Sequence, residues 1–148
     1  MKETSATSTA QTSRQFNLIS AGLAFFIWGG WAWYINSKTA VAGQTPPLVS
    51  GLTQGTASLL FTLIMVRSVT WIYHRLPQSL IRLVLPSVLT VMATGTCLVT
   101  AHILVGTSNI PMTVAPGLTV AFLFNLFTTS VLRIEERKSK INAGGNTI

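Results

Sequence analysis

Aspartate does not occur in this chain, and its only carboxylates are Glu3, Glu135 and Glu136, all near the two ends. The four apolar runs that fill the rest contain neither acid, so the interior lacks the side chain most often used to carry protons or coordinate cations inside a bilayer. Cysteine is almost as scarce. Cys97 stands alone, which rules out an intrachain disulfide, and no CxxC, HExxH or glycine-rich phosphate loop is present. Charged residues make up 9% of the chain, far below the roughly one quarter of ordinary globular proteins, and hydrophobic residues 49%. A soluble globular domain is excluded by that balance.

What is present is length without charge. The runs Phe16 to Tyr34, Val49 to Tyr73, Leu83 to Val105 and Thr113 to Leu132 each approach or exceed the roughly 20 residues that a helix needs to cross about 30 Å of hydrocarbon. No run alternates with period two, and a spanning segment must satisfy its own backbone, so each is expected to be helical. The expected fold class is all-α, an integral membrane four-helix bundle with spans at 16–35, 48–73, 80–105 and 112–133 inside a domain of residues 16–134.

Orientation follows from Lys and Arg. The amino tail holds Lys2 and Arg14, the second connection Arg67, Arg75 and Arg82, and the carboxyl tail Arg133, Arg137, Lys138 and Lys140. Only Lys38 falls on the other side, which predicts both termini in the cytoplasm. Small size and the lack of an organelle-targeting signal point to a bacterial inner membrane. The net charge of +7 reads as a topology signal that also attracts anionic lipid headgroups or a cytoplasmic partner, not as a nucleic-acid surface. The two tails, 1–15 and 135–148, are expected to be disordered. The first run imitates a signal peptide, with Ala40-Val41-Ala42 after it, but is too long for one and ends in the interfacial aromatics Trp28, Trp31, Trp33 and Tyr34. It reads as an uncleaved span.

Proline marks helix starts at Pro46, Pro47, Pro111 and Pro116, and Pro77 closes the inner connection; Pro86 predicts a bend within the third helix or a later start for it. Sliding the chain by 66 residues superposes Gly51-Leu52-Thr53, Leu60-Phe61-Thr62 and Arg67 on Gly117-Leu118-Thr119, Leu126-Phe127-Thr128 and Arg133. The match suggests two parallel two-helix hairpin repeats. Small and weakly polar residues recur at helical spacing: Gly51, Gly55, Ser58 and Thr62; Ser87, Thr90, Thr94, Cys97 and Ala101; Gly117, Ala121, Asn125 and Thr128. These stripes are expected to face one another, with Gly51, Gly55, Gly117 and Ala121 serving close helix packing.

The candidate polar interior is Asn125, Thr62, Thr94, Thr128 and Ser58. Asn125 is expected to hold helices together, with coordination of an ion or substrate as its alternative role. His102 is the one candidate titrating group inside a span, expected to be solvated one turn from the outer end, and Gln54 is expected to be within reach of water. His74 and His102 lie at opposite membrane faces, so no acid–base pair is available and no catalytic, metal or cofactor site is expected.

In architecture the four spans FNLISAGLAFFIWGGWAWYIN to the carboxyl end resemble the small proteobacterial antimicrobial efflux proteins and, less closely, the small multidrug resistance transporters. Those groups depend on a membrane-embedded glutamate that couples proton entry to cation exit. The corresponding spans here, including LVLPSVLTVMATGTCLVTAHI, have none, so no site residue is carried over. The leading expectation is an accessory, assembly or scaffold subunit acting through helix packing and a basic cytoplasmic face. In that role Arg67, Arg75, Arg82, Arg133, Arg137, Lys138 and Lys140 meet lipid headgroups or a membrane-protein partner. The alternative is a carrier of a small solute or lipophile that works without a membrane carboxylate, as a homo-oligomer or alone. A continuous polar pocket around Thr62, Thr94 and Asn125 that reaches one face would favour the carrier, and tight packing of these stripes with an apolar groove outside would favour the interaction subunit.

Overall fold

The structure is a computed structural model that describes residues 3–40, 44–77 and 79–144, with side chains described from residue 15 to 142. It contains four helices: α1 Glu3–Thr39, α2 Pro47–Arg75, α3 Ile81–Leu104 and α4 Ile110–Gly144. All four are long and apolar enough to cross a membrane. No strand occurs among the described residues. The bundle is built from the hairpins α1–α2 and α3–α4; α2 also packs on α3 and α4, α1 touches α4, and α1 and α3 do not meet.

The ends of α1 and α4 differ from expectation. Backbone helix starts at Glu3 and continues to Gly144, across most of both stretches expected to be disordered. Neither stretch contains a proline, and the helix formers Ala, Gln, Glu, Arg and Lys among their residues let an existing helix extend past the apolar run. Residues 145–148 lie outside the described residues, as do Val41, Ala42 and most of the Ala40-Val41-Ala42 segment.

Glycine sets the approach of the first two helices. A Cβ on Gly29 would stand 2.9 Å from the Gly51 carbonyl oxygen and 3.2 Å from the Gly55 Cα, and one on Gly55 would stand 2.9 Å from the Phe25 carbonyl oxygen. Gly51 and Gly55 thus pack within the chain against α1. In a bilayer, where lipid and side chain are equally apolar, such backbone contact is a main source of helix association.

Prolines within helices free carbonyls, and one of these is put to use. Pro116 lies inside α4 and not at its start; lacking an N–H, it leaves the Met112 carbonyl without its donor from one turn ahead. The Trp31 indole Nε1 donates to that carbonyl at 2.9 Å, tying α1 to α4. Pro86 likewise sits inside α3, which starts at Ile81.

Candidate functional site

Helix α3 ends in a Schellman arrangement: Gly106, at φ +71°, donates to the Ile103 carbonyl, and the Thr107 N–H reaches back to the His102 carbonyl at 3.0 Å. That reversal folds the Thr107 side chain onto the His102 ring. His102 is fully buried, not solvated as its distance from the helix end implied. Its Nε2 lies 2.8 Å from Gln54 Oε1 and its Nδ1 2.7 Å from Thr107 Oγ1, which accepts a hydrogen bond from Ser50 Oγ at 3.1 Å. A carbonyl oxygen only accepts, so Nε2 carries the proton; Nδ1 then accepts from the Thr107 hydroxyl, and a neutral imidazole satisfies every partner. Gln54 is 1% exposed and closed to water, because α3 covers the face of α2 that carries it.

A second network closes the same end of the bundle. Asn36 Nδ2 donates to the Ala32 carbonyl and to Thr113 Oγ1, both at 2.8 Å, and Asn36 Oδ1 accepts from the Asn109 N–H at 3.1 Å. Between the connections, Thr45 donates to the Val105 carbonyl and Ser108 to Gln44 Oε1. These bonds join all four helices at the end that carries Lys38. Sequence reasoning missed Asn36, Ser50, Thr107 and Thr113. Asn36 ends an aromatic belt and resembles a loop residue; its one signal is that it falls on His102 at the 66-residue offset.

Below this seal the helices part. Among the described residues the hydrogen bonds from α1 to the α4 region come from Trp31 and Asn36, and toward the Arg-rich end a cleft of about 410 Å³ opens between the two helices, bounded by Phe16, Asn17 and Ser20 on one side and Val120, Ala121 and Phe124 on the other. Its walls are mostly apolar, with Trp28, Phe61, Leu98 and Leu118. Ser58, Thr62 and Thr94 supply neutral polar spots. Thr62 and Thr94 each donate to the carbonyl one turn back on their own helix, which leaves their oxygens able to accept. Gln54 lies at the head of the cleft: its carbonyl is held by His102, and its Nε2 sits 3.5 Å from the Cβ position of Gly117. Gly117 keeps that corner open.

Of the sequence candidates, Ser58, Thr62, Thr94, Gly117 and Ala121 come together on this cleft, and Asn125 and Thr128 do not. Thr128 bonds its own helix at Phe124. Asn125 is buried, but among the described residues neither end of its carboxamide has a hydrogen-bond partner, nor do the buried hydroxyls of Ser87 and Thr90; the pairing expected of Asn125 is not found there. α4 is instead pinned to α3 by Thr129, whose hydroxyl donates to the Leu83 carbonyl at 2.7 Å. Cys97 is exposed, so the α3 stripe turns outward there. The polar stripes therefore form no continuous path through the bundle.

At the opposite end Arg82 departs from the headgroup role expected of it. It is 8% exposed, its Nε donates to the Tyr73 carbonyl at 2.6 Å, and its two terminal nitrogens straddle the Glu136 carboxylate at 3.1 and 3.0 Å. The guanidinium lies 4.0 Å from the centre of the Tyr73 ring, and the Tyr73 hydroxyl also donates to Glu136. Arg82 thus caps the end of α2 and joins it to α3 and α4. Arg75 stacks on Trp71 at 4.7 Å. No protein-family model matches this chain, and neither a curated protein nor a solved structure matches it significantly.

Proposed function

We propose that this is a multi-pass protein of a bacterial inner membrane, with both termini cytoplasmic, that takes a neutral lipophilic molecule from the bilayer into the cleft between α1 and α4. The observation that carries the reading is the cleft itself: apolar walls, a side opening, and the neutral hydroxyls of Ser58, Thr62 and Thr94 along it. Its volume of about 410 Å³ falls in the range of small-molecule sites, about 300–1,000 Å³. The absence of carboxylates favours a neutral guest, because an unpaired cation in hydrocarbon costs at least about 2.5–3.5 kcal/mol. A molecule with a hydroxyl to donate to the Thr62 or Thr94 oxygen is the best match.

The hairpin duplication supports the same reading. Asn36 and His102 are equivalent at the 66-residue offset, and each reaches from the first helix of its hairpin to the second hairpin helix of the other half, Asn36 to Thr113 and His102 to Gln54. Two related halves joined at both ends, and parted only between α1 and α4, suit a site that a guest enters sideways from the bilayer.

The test is binding of a long-chain alcohol carrying a photoreactive diazirine to the full chain in phosphatidylcholine nanodiscs. Saturable labelling that falls at least tenfold in Ala121→Phe, and is unchanged in the lipid-facing Leu104→Phe, supports the cleft; labelling indifferent to both refutes it. An accessory or assembly subunit is the second reading, favoured by the length of α4. Its 35 residues extend about 52 Å at 1.5 Å each, well beyond the hydrocarbon, and the projecting end carries exposed Arg137 and Lys138. A stoichiometric companion on gentle extraction from native membranes favours that reading.

A further inference from the structure

Independently of the cleft, the Arg-rich end holds a second cavity, of about 400 Å³, walled by Tyr73 of α2, Ser79 of the connection, Arg82 of α3, and Arg133, Arg137 and Lys140 of α4. Four cationic side chains meet one carboxylate there, Glu136. That carboxylate is already matched to Arg82, so the pair cancels and acts as a rigid wall. Arg133, Arg137 and Lys140 stand at i, i+4 and i+7 and therefore share one face of α4. Among the described residues Arg133 and Arg137 form no ion pair. Apolar side chains complete the cavity: Leu83 lines it, and Leu80, also lining it, is exposed beside Ile81.

We propose that this cavity is a site for a phosphate group, held by Arg133 and Arg137. A guanidinium presents its donors in a planar fork that fits two phosphate oxygens at once, so two of them a single helical turn apart can grip a tetrahedral anion from two sides. The Ser79 hydroxyl supplies a further donor. Position distinguishes this from diffuse attraction of a basic surface to anionic lipid: the cavity lies where the apolar face of α3 begins, so a phospholipid can place its phosphate among the arginines and its chains along Leu80 and Ile81. A free phosphate ion presents the same oxygens without the chains.

The test uses the full chain and separates the two sources. Native mass spectrometry from nanodiscs of mixed phosphatidylglycerol and phosphatidylcholine reads lipid retained per chain, and calorimetric titration of inorganic phosphate into phosphatidylcholine nanodiscs reads the soluble arm. The expected result is one phosphatidylglycerol held at least tenfold over phosphatidylcholine. That preference is lost in Arg133→Gln/Arg137→Gln and kept in Arg67→Gln/Arg75→Gln, whose side chains lie outside the cavity. Arg137→Gln alone changes an exposed residue, leaves packing intact, and is expected to cost about half the preference on a logarithmic scale. Saturable binding of inorganic phosphate that the double variant abolishes keeps the site and assigns it a soluble ligand. Equal retention of the two lipids without phosphate binding overturns the proposal, as does loss of the preference in Arg67→Gln/Arg75→Gln to the same extent.

Discussion

His102 shows how one side chain's setting decides its role. Distance along the helix put it near water, but the reversal at Gly106 and the cover supplied by α2 enclose it. Its replacement by Ala leaves the Gln54 carbonyl buried without a partner and takes the acceptor from the Thr107 hydroxyl proton, and each such loss costs about 1–3 kcal/mol. Thermal unfolding of His102→Ala in detergent is expected to shift down accordingly, whereas His102→Gln, which can still donate to Gln54, recovers part of the loss. An unchanged melting temperature for His102→Ala would count against the buried network. Arg82 and Glu136 form the corresponding pair at the other end. Glu136→Gln is expected to destabilise by about 1–3 kcal/mol, less than a fully buried pair because the carboxylate is 31% exposed, as read by the same unfolding experiment.

Between helices, two contacts make opposite use of missing atoms. The glycines of α1 and α2 lack a Cβ where backbones touch, so Gly29→Val is expected to force the pair apart and cost about 1–3 kcal/mol by overpacking, while Gly30→Val, with open space around its Cβ position, is nearly neutral; unfolding midpoints of the two variants compare them directly. Pro116 lacks an N–H, and Trp31 fills in for it. Trp31→Phe is therefore expected to lose about 1 kcal/mol in the native chain and less when Pro116→Ala restores the helical donor, a coupling that a double-mutant cycle measures. Spans of this length were legible in the sequence because charge-free runs of the right size admit one solution in hydrocarbon. The extensions of α1 and α4 were not, since a tail's polarity says nothing of whether a neighbouring helix propagates into it. The partners that Asn36, Gln54 and His102 find on other helices were hidden for a different reason: each lies 48 residues or more away in sequence, and no periodicity on one helix encodes which residue of another it meets.

For the whole molecule, the picture is a bundle sealed by hydrogen bonds at the Lys38 end, joined by an arginine–glutamate pair at the other, and open sideways between them. The stripe residues Ser58, Thr62 and Thr94 could be picked out from spacing alone, but not that they would meet apolar walls instead of Asn125. That difference moves weight from a polar-solute path to a lipophile reached from the bilayer. The direct measurement is the collision accessibility of a nitroxide attached at Thr62→Cys, in a chain whose native thiol is removed by Cys97→Ser, reconstituted in liposomes. The account predicts frequent collisions with lipid-soluble oxygen and few with a polar nickel chelate added on either side. Strong quenching by the chelate would mean that water fills the cleft and would contradict it.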